Sequence, residues 1–170
     1  MINASVLKGF GLFKGLDDGE LARVAELCSE RTFKKGERVF SEGTRATHLH
    51  LCRSGKVDIV ILVREPWNKN VTVHQAGAGE LFGWSAMVAP YTYTASAECA
   101  EAGEEIRITG SELLKSFDYD PHIGLVVWRN LSAEISARLT QTRQRLSTEW
   151  LTSGVTSPPG SSAWGEPKRR

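Results

Sequence analysis

The sequence predicts a mostly β fold with flanking helices, arranged as a β-sandwich or jelly roll and followed by a long helix. Three observations indicate this fold. Apolar residues recur at helical spacing before Thr32, short strand-like runs separated by turns fill the stretch from Thr32 to Thr109, and helical spacing returns after Thr109. A change of hydrophobic period between about 3.6 and 2 residues marks a change between helix and strand. The chain is therefore expected to contain a helical, a β and a second helical region in that order.

The first region predicts two helices. The earlier one carries apolar residues at helical spacing, Val6, Leu7 and Phe10, and Gly11 interrupts it. The later one begins after Asp17, whose carboxylate can cap it, and Glu20 three residues on completes a capping box. The apolar face expected for this helix comprises Leu21, Val24, Ala25 and Cys28.

The middle region predicts a series of short strands. Turn-forming residues divide it at Gly36-Glu37, Glu42-Gly43-Thr44, Ser54-Gly55, Pro66-Trp67-Asn68, Gly77-Ala78-Gly79 and Gly103. The runs between the turns are predicted to be strands: Arg38–Phe40, His48–Cys52, Val57–Val63, Val71–Gln75, Ala95–Cys99 and Glu105–Ile108. Many short strands at such intervals are typical of sandwiches and jelly rolls.

The last region predicts a short helix and then a long one. Ser111 can cap the short helix, and Asp120-Pro121 opens the long one because proline suits the first helical position. The apolar stripe of the long helix comprises Ile123, Val127, Trp128, Leu131, Ile135, Leu139 and Leu146. No helix breaker occurs before Gly154, so we expect one domain over residues 1–150. Residues 151–170, rich in Ser, Pro and Gly, are expected to form a disordered tail.

Composition narrows the class of protein. The 170 residues are 41% hydrophobic and 24% charged with a net charge of +1, which fits one ordinary domain and gives no sign of general nucleic-acid or membrane binding. No apolar run approaches the roughly 20 residues of a membrane helix, and the N-terminus lacks the pattern of a signal peptide. The three cysteines are widely spaced. We therefore expect a cytoplasmic protein with reduced, mostly buried thiols.

Several short motifs make the prediction more specific. In chain order they are Phe13-Lys14-Gly15-Leu16, Lys35-Gly36-Glu37, Phe40-Ser41-Glu42-Gly43, Ser54-Gly55-Lys56-Val57, Gly79-Glu80-Leu81-Phe82-Gly83 and Thr94-Ala95-Ser96-Ala97. In this order and spacing, from about Leu7 to Leu146, the sequence resembles the cyclic-nucleotide-binding domain family. That family includes the catabolite activator protein and the regulatory subunit of protein kinase A. The resemblance implies a β-roll, which is a double-stranded β-helix or jelly roll, with a long C-terminal helix.

The resemblance also implies a phosphate-binding cassette that begins near Gly79. Glycines there allow the backbone to turn into a short helix whose N–H groups converge on an anionic phosphate. The resemblance implies an acidic residue after Phe-Gly for the ribose hydroxyl and an arginine near the cassette's end for the cyclic phosphate. Trp84 and Tyr93 occupy those two positions, and no Arg or Lys occurs from Leu81 to Ile106. The candidate ligand-binding residues are Leu81, Phe82, Gly83, Trp84, Ser85, Ala86, Tyr93, Thr94 and Ala95.

Two roles for Trp84 remain open at this point. Its indole could stack on a purine or another flat ligand, or it could fill part of the pocket itself. The function expected is accordingly a non-enzymatic sensing module that binds cAMP or cGMP weakly, or takes another small ligand. The long helix would form a homodimer and an unidentified effector protein would receive the signal. The alternative is a degenerate module that acts only in dimerisation or protein–protein association.

Other classes of site are disfavoured by the motifs. The chain shows no serine nucleophile elbow, Walker loop or dinucleotide fingerprint, so we expect no catalytic residues. His48-x-His50 could suggest a cupin-like iron or manganese centre, but Leu51–Lys56 contains no glutamate, so we expect no metal site. Only about twenty residues follow the long helix, too few for a helix-turn-helix domain, so direct DNA binding is not expected. Membrane attachment is not expected either, because no apolar run is long enough to span a bilayer.

Overall fold

The computed structural model describes residues 2–65 and 68–152, with side chains to residue 148. The predicted tail lies outside the described residues except for Leu151 and Thr152, which end the last helix, and Pro66 and Trp67 of one predicted turn also lie outside. The chain divides into two compact units, residues 2–132 and residues from 133 onward. The second unit consists, in the described residues, of the later part of one helix. The expectation of one domain over residues 1–150 stays a prediction.

The elements follow the predicted order of helices, strands and helices. Two short 3-10 helices, Ala4–Gly9 and Gly11–Phe13, come first. The α-helices are α1 (Asp18–Glu26), α2 (Gly110–Tyr119) and α3 (Pro121–Thr152). The strands are β1 (Cys28–Phe33), β2 (Arg38–Phe40), β3 (His48–Val63), β4 (Lys69–Ala76), β5 (Leu81–Phe82) and β6 (Ser96–Thr109). None of the described helices is long and apolar enough to cross a bilayer.

The six strands form one antiparallel sheet around β3 and β6. These two strands pair with each other, β6 also pairs with β1 and β2, and β3 also pairs with β4 and β5. Long antiparallel strands that bend while remaining paired produce the rolled sheet of this architecture. The predicted β-roll with flanking helices is confirmed.

Each of the two central strands is continuous where the sequence predicted a pair of strands and a turn. Gly55 has a φ of +77°, and a Cβ on Gly103 would lie 2.1 Å from the Ser54 carbonyl oxygen. The β3–β6 register shifts at three places between Cys52 and Val57. The glycines therefore allow the two backbones to bend against each other without separating, so the predicted turns at Ser54-Gly55 and Gly103 were wrong.

The predicted helices differ from the structure at some of their ends, and the first also differs in type. Asp17 and Glu20 form the reciprocal capping box of α1, with both hydrogen bonds at 2.8 Å. Cys28 begins β1 instead of completing α1, because it pairs with Ile108 of β6. The first segment forms 3-10 turns in place of one α-helix, because Phe10 is extended and separates them. Thr109 is the residue before α2, so the predicted cap at Ser111 was misplaced by two positions.

The β3–β6 pair has two buried faces. Leu49, Leu51, Ile106 and Ile108 are all fully buried on one face. The alternate residues His50, Cys52 and Glu105 share the other face, and all three are buried. Within the first unit, Asn130 of α3 donates from Nδ2 to the carbonyls of Leu12 and Lys14, at 2.9 Å each. These two hydrogen bonds hold the first part of α3 against the N-terminal segment.

Gly110 is expected to be essential for the close packing of α2 against the segment that follows β5. A Cβ at Gly110 would lie 2.3 Å from the Ala86 carbonyl oxygen. We expect Gly110→Ala to lower the free energy of unfolding by about 1–3 kcal/mol, since backbone must move to make room. Urea denaturation measures this. The matched control is Gly11→Ala, where a Cβ meets nothing within 4 Å, and equal losses in both variants would contradict the packing argument.

Candidate ligand-binding site

The cassette backbone begins with a turn that only glycine fits. Gly83 has a φ of +73°, and a Cβ there would lie 2.9 Å from Cδ2 of His50 and 3.2 Å from the His48 carbonyl oxygen. A 3-10 helix of three residues, Trp84–Ala86, follows at once. The sequence therefore placed the turn and the short helix correctly, and the neighbours of Gly83 explain why no side chain is tolerated there.

The predicted cassette residues differ in how far solvent can reach them. Leu81 and Phe82 are buried in β5 and pair with Leu51 and His50 of β3, so they position the turn and belong to the core. Ala86 is buried, and its N–H donates to the Gly83 carbonyl at 3.2 Å. That N–H closes the turn, and the role of Ala86 in ligand binding stays a prediction. Trp84 and Ser85 are partly buried.

Tyr93, at the position implied for an arginine, is part of the core. Its N–H donates to the Thr44 carbonyl at 2.9 Å, and its own carbonyl accepts from the Gly43 N–H at 2.8 Å. Its ring stacks on Phe40 with centroids 3.7 Å apart and planes 6° apart, and only 5% of the residue is exposed. Tyr93, Ala86 and Ala46 form one buried cluster, so Tyr93 packs together with the cassette helix.

The hydroxyl of Tyr93 forms its hydrogen bond within the protein. It donates to the His48 carbonyl at 2.9 Å and lies 3.4 Å from Nε2 of His50. Burial raises the pKa of the Tyr93 phenol, although the hydrogen bond to His48 acts in the opposite direction. The phenol therefore stays neutral, and its single proton is committed to a backbone carbonyl.

A buried charged network lies next to Tyr93. Nδ1 of His50 is 2.9 Å from Oε2 of Glu105, and Nη1 of Arg31 is 3.0 Å from Oε1 of the same carboxylate. Burial acts to raise the pKa of Glu105, but His50, and then Arg31, hold it below its ordinary value. The carboxylate is completely buried and stays ionised because two donors satisfy it.

Sequence reasoning missed this network. Glu105 is separated from His50 by 55 residues and from Arg31 by 74, so no local pattern connects them. The alternation of Ile106 and Ile108 with Glu105 and Arg107 was the one available signal, since it places the two charged residues on a common face of β6.

The remaining predicted site residues lie nearer the surface. Thr94 is exposed and Ala95 partly buried. The structure thus packs Ala86 with Tyr93, leaves Trp84 and Ser85 partly accessible, and leaves Thr94 exposed.

Neither the cysteines nor the histidines form a recognisable reactive centre. All three thiols are free, with Cys52 and Cys99 buried, and burial raises the pKa of both to about 11. Thiols held protonated in this way are poor nucleophiles. Among the described side chains, residues 2–65 and 68–148, no three from His, Cys, Asp or Glu converge as metal ligands do.

Comparison with known proteins points to one family. The model of the family described as "Cyclic nucleotide-binding domain" matches residues 30–120. A protein of Rhodopseudomonas palustris, provisionally named as a potassium channel, is 25% identical over 144 residues, which are 80% of this chain but only 34% of that protein. This chain therefore spans about a third of that relative's length.

Two solved structures extend the comparison. A Geobacter metallireducens protein, provisionally described as cyclic nucleotide-binding, is 28% identical with a TM-score of 0.71, over 82% of this chain and 99% of that one. A triple mutant of the regulatory subunit of a cAMP-independent protein kinase A from Trypanosoma brucei, bound to cAMP, is 18% identical with a TM-score of 0.67. That match covers 84% of this chain and 49% of the kinase subunit chain, and it shows the fold alone.

The hydrogen bond from Tyr93 is expected to contribute to stability. In Tyr93→Phe the part-buried hydrogen bond to the His48 carbonyl is lost, so we expect the free energy of unfolding to fall by about 1–2 kcal/mol. Urea denaturation followed by fluorescence measures the change. Tyr91→Phe is the matched control, because Tyr91 is 44% exposed, and we expect it to stay within about 0.5 kcal/mol of the parent. A Tyr93→Phe variant as stable as the parent would contradict the assigned role of the hydroxyl.

Proposed function

The chain belongs to the cyclic nucleotide-binding domain family, and from that premise we propose that it is a non-enzymatic regulatory module with weak or altered cyclic-nucleotide binding. The observation that carries this proposal is the burial of Tyr93. A residue stacked on Phe40, with its hydroxyl proton given to His48, offers no cation to a cyclic phosphate. The fold supports a sensing role, and this side chain argues against strong binding of the usual ligand.

The size of the effect follows from the charge on the ligand. A hydrogen bond to a charged group is worth roughly 1.5–3 kcal/mol, so losing an arginine costs about one to two orders of magnitude in affinity. Replacement of the acidic residue by Trp84 removes an acceptor for the ribose as well. Stacking on the indole returns roughly 1 kcal/mol, which does not balance both losses.

The trypanosome structure gives a precedent for such a module. That protein is described as the regulatory subunit of a cAMP-independent kinase, and its triple mutant is bound to cAMP. The fold of this chain is thus similar to that of a regulatory subunit whose kinase is described as cAMP-independent. For this chain we propose that the fold is kept while the usual ligand, cAMP or cGMP, binds only weakly or is replaced by another small molecule in the same pocket.

The relatives also suggest how the module is used. The match to the channel protein covers only part of that protein, as expected for a domain that controls something attached to it or bound by it. We propose that this chain acts in the cytoplasm on an unidentified effector protein, without binding DNA directly and without entering the membrane.

Calorimetry tests the affinity. We expect titration of the parent with cAMP and with cGMP to give weak binding or none, because position 93 supplies no cation to offset desolvation of the cyclic phosphate. Sub-micromolar binding of either nucleotide would contradict the proposal.

A second variant tests whether affinity can be restored: Trp84→Glu combined with Tyr93→Arg returns the acidic residue and the arginine that the family resemblance implies. We expect this variant to bind cAMP at least about tenfold more tightly than the parent, since it regains a charge-assisted hydrogen bond. Trp84→Glu with Tyr93→Gln is the matched control, because it loses the same phenol without gaining a cation. If the arginine variant folds and binds no better than the control, the backbone has diverged and association becomes the leading function.

The second candidate function, association of two copies, rests on the second unit. Leu139 and Leu146 of α3 are 49% and 51% exposed. With Ile135 and Thr142 they recur at intervals of four, three and four residues, which is the spacing of a two-stranded coiled coil. Leu131, which the sequence placed in the same stripe, is completely buried within the first unit and is unavailable to a partner. We propose that the stripe from Ile135 onward pairs with a second copy.

Light scattering tests this association. We expect a dimer at tens of micromolar for the parent and a monomer for Leu139→Glu with Leu146→Glu, because carboxylates in an apolar seam are desolvated and repel each other. Gln141→Glu with Gln144→Glu is the matched control, since both glutamines are exposed and add the same charge away from the stripe. A monomeric parent, or a control that dissociates equally, would count against the proposal.

A further inference from the structure

A second site is suggested by an arginine-rich cavity at one end of the roll. The cavity has a volume of about 460 Å³. Its charged and titratable lining consists of Arg31, Arg38, Arg45, Arg107, His48 and His50. We propose that this cavity binds a small phosphorylated ligand through Arg45 and Arg107. The cavity adjoins the cassette, because Tyr93 lines it and a Cβ on Gly83 would lie within 3.3 Å of His50, His48 and Phe40, which also line it. Arg45 and Arg107 lie outside the cassette, and Tyr93 is the only candidate cassette residue in the lining.

The four arginines that line the cavity fall into two groups, those that form ion pairs with carboxylates and those that do not. Arg31 forms ion pairs with Glu105 and Glu37, and Arg38 forms one with Glu98. Within the described residues, neither Arg45 nor Arg107 has a carboxylate within 4.0 Å, and no carboxylate lines the cavity. Two positive charges therefore face the cavity without partners.

Arg107 gives the second, independent observation. Its Nε is buried and, in the described part of the chain, has no hydrogen-bond partner. A buried donor without an acceptor is costly, and such groups are rare unless a ligand, ion or water completes them. Arg107 lies opposite His50 in the β3–β6 pairing, so its side chain shares the face of the sheet that carries the buried Glu105 network.

The chemistry of the cavity favours a phosphate group. Guanidinium groups bind phosphate oxygens through parallel N–H bonds, and two unpaired arginines match the two negative charges of a phosphate monoester. The hydroxyls of Ser41, Thr44 and Thr47 also line the cavity and can act as neutral donors. A volume of about 460 Å³ lies within the range of small-molecule pockets and exceeds what one phosphate needs, which leaves room for an organic group.

Calorimetry with pyrophosphate and with inorganic phosphate, at constant ionic strength, tests the site. We expect saturable binding of pyrophosphate with one site per chain, and weaker binding of phosphate. Arg45→Gln and Arg107→Gln should each weaken pyrophosphate binding at least about tenfold. Arg45 is exposed, so its variant should fold even if Arg107→Gln does not.

Two control variants distinguish binding in this cavity from general attraction to positive charge and from binding at the cassette. Arg129→Gln removes an exposed arginine of α3 that does not line the cavity and should bind pyrophosphate as the parent does. Trp84→Phe alters the cassette without adding charge, and Trp84 does not line the cavity, so it should leave pyrophosphate binding unchanged. The pyrophosphate test and the cyclic-nucleotide test use different variants, so they can fail independently. Absence of saturable pyrophosphate binding to the parent, or equal weakening in Arg129→Gln, would overturn the proposal.

Discussion

The pairing of β3 with β6 is the constraint on which the rest of the structure depends. Every other strand pairs with one of these two, and each of them carries buried residues on both faces. One face holds the fully buried aliphatic residues, and the other holds the charged and aromatic groups around Tyr93. Because residues far apart in sequence must meet in register, a slip of one residue would exchange the two faces.

The buried carboxylate of Glu105 shows how this pairing creates chemistry. A lone carboxylate in the core would be neutralised or would unfold the roll, but β1 supplies Arg31 and β3 supplies His50. Glu105, Glu37 and Glu98 are thus paired with Arg31, His50 and Arg38. Arg45 and Arg107 are left facing the cavity, so its positive character results from where the carboxylates are placed rather than from net charge, which is only +1.

Sequence reasoning succeeded where the signal was local. The capping box of Asp17 and Glu20, the three residues of β2 and the start of α3 at Pro121 all depend on neighbours within a few positions. It failed where pairing between distant strands decides the structure. Gly55 and Gly103 predicted turns that would end strands, but in the structure they only bend strands that remain paired. Likewise the sequence located Tyr93, but the ring of Phe40 that holds it comes from a strand 53 positions earlier.

The stacking of Tyr93 on Phe40 has a thermodynamic consequence for signalling. A ligand shifts a protein between two states only as far as it binds one of them better, and ordering a loose segment is one common source of that difference. Here Tyr93 packs with Ala86 and Phe40, so the end of the cassette is already ordered before any ligand arrives. Little conformational entropy remains for a ligand to remove, and a response of this roll would have to arise from charge brought into it.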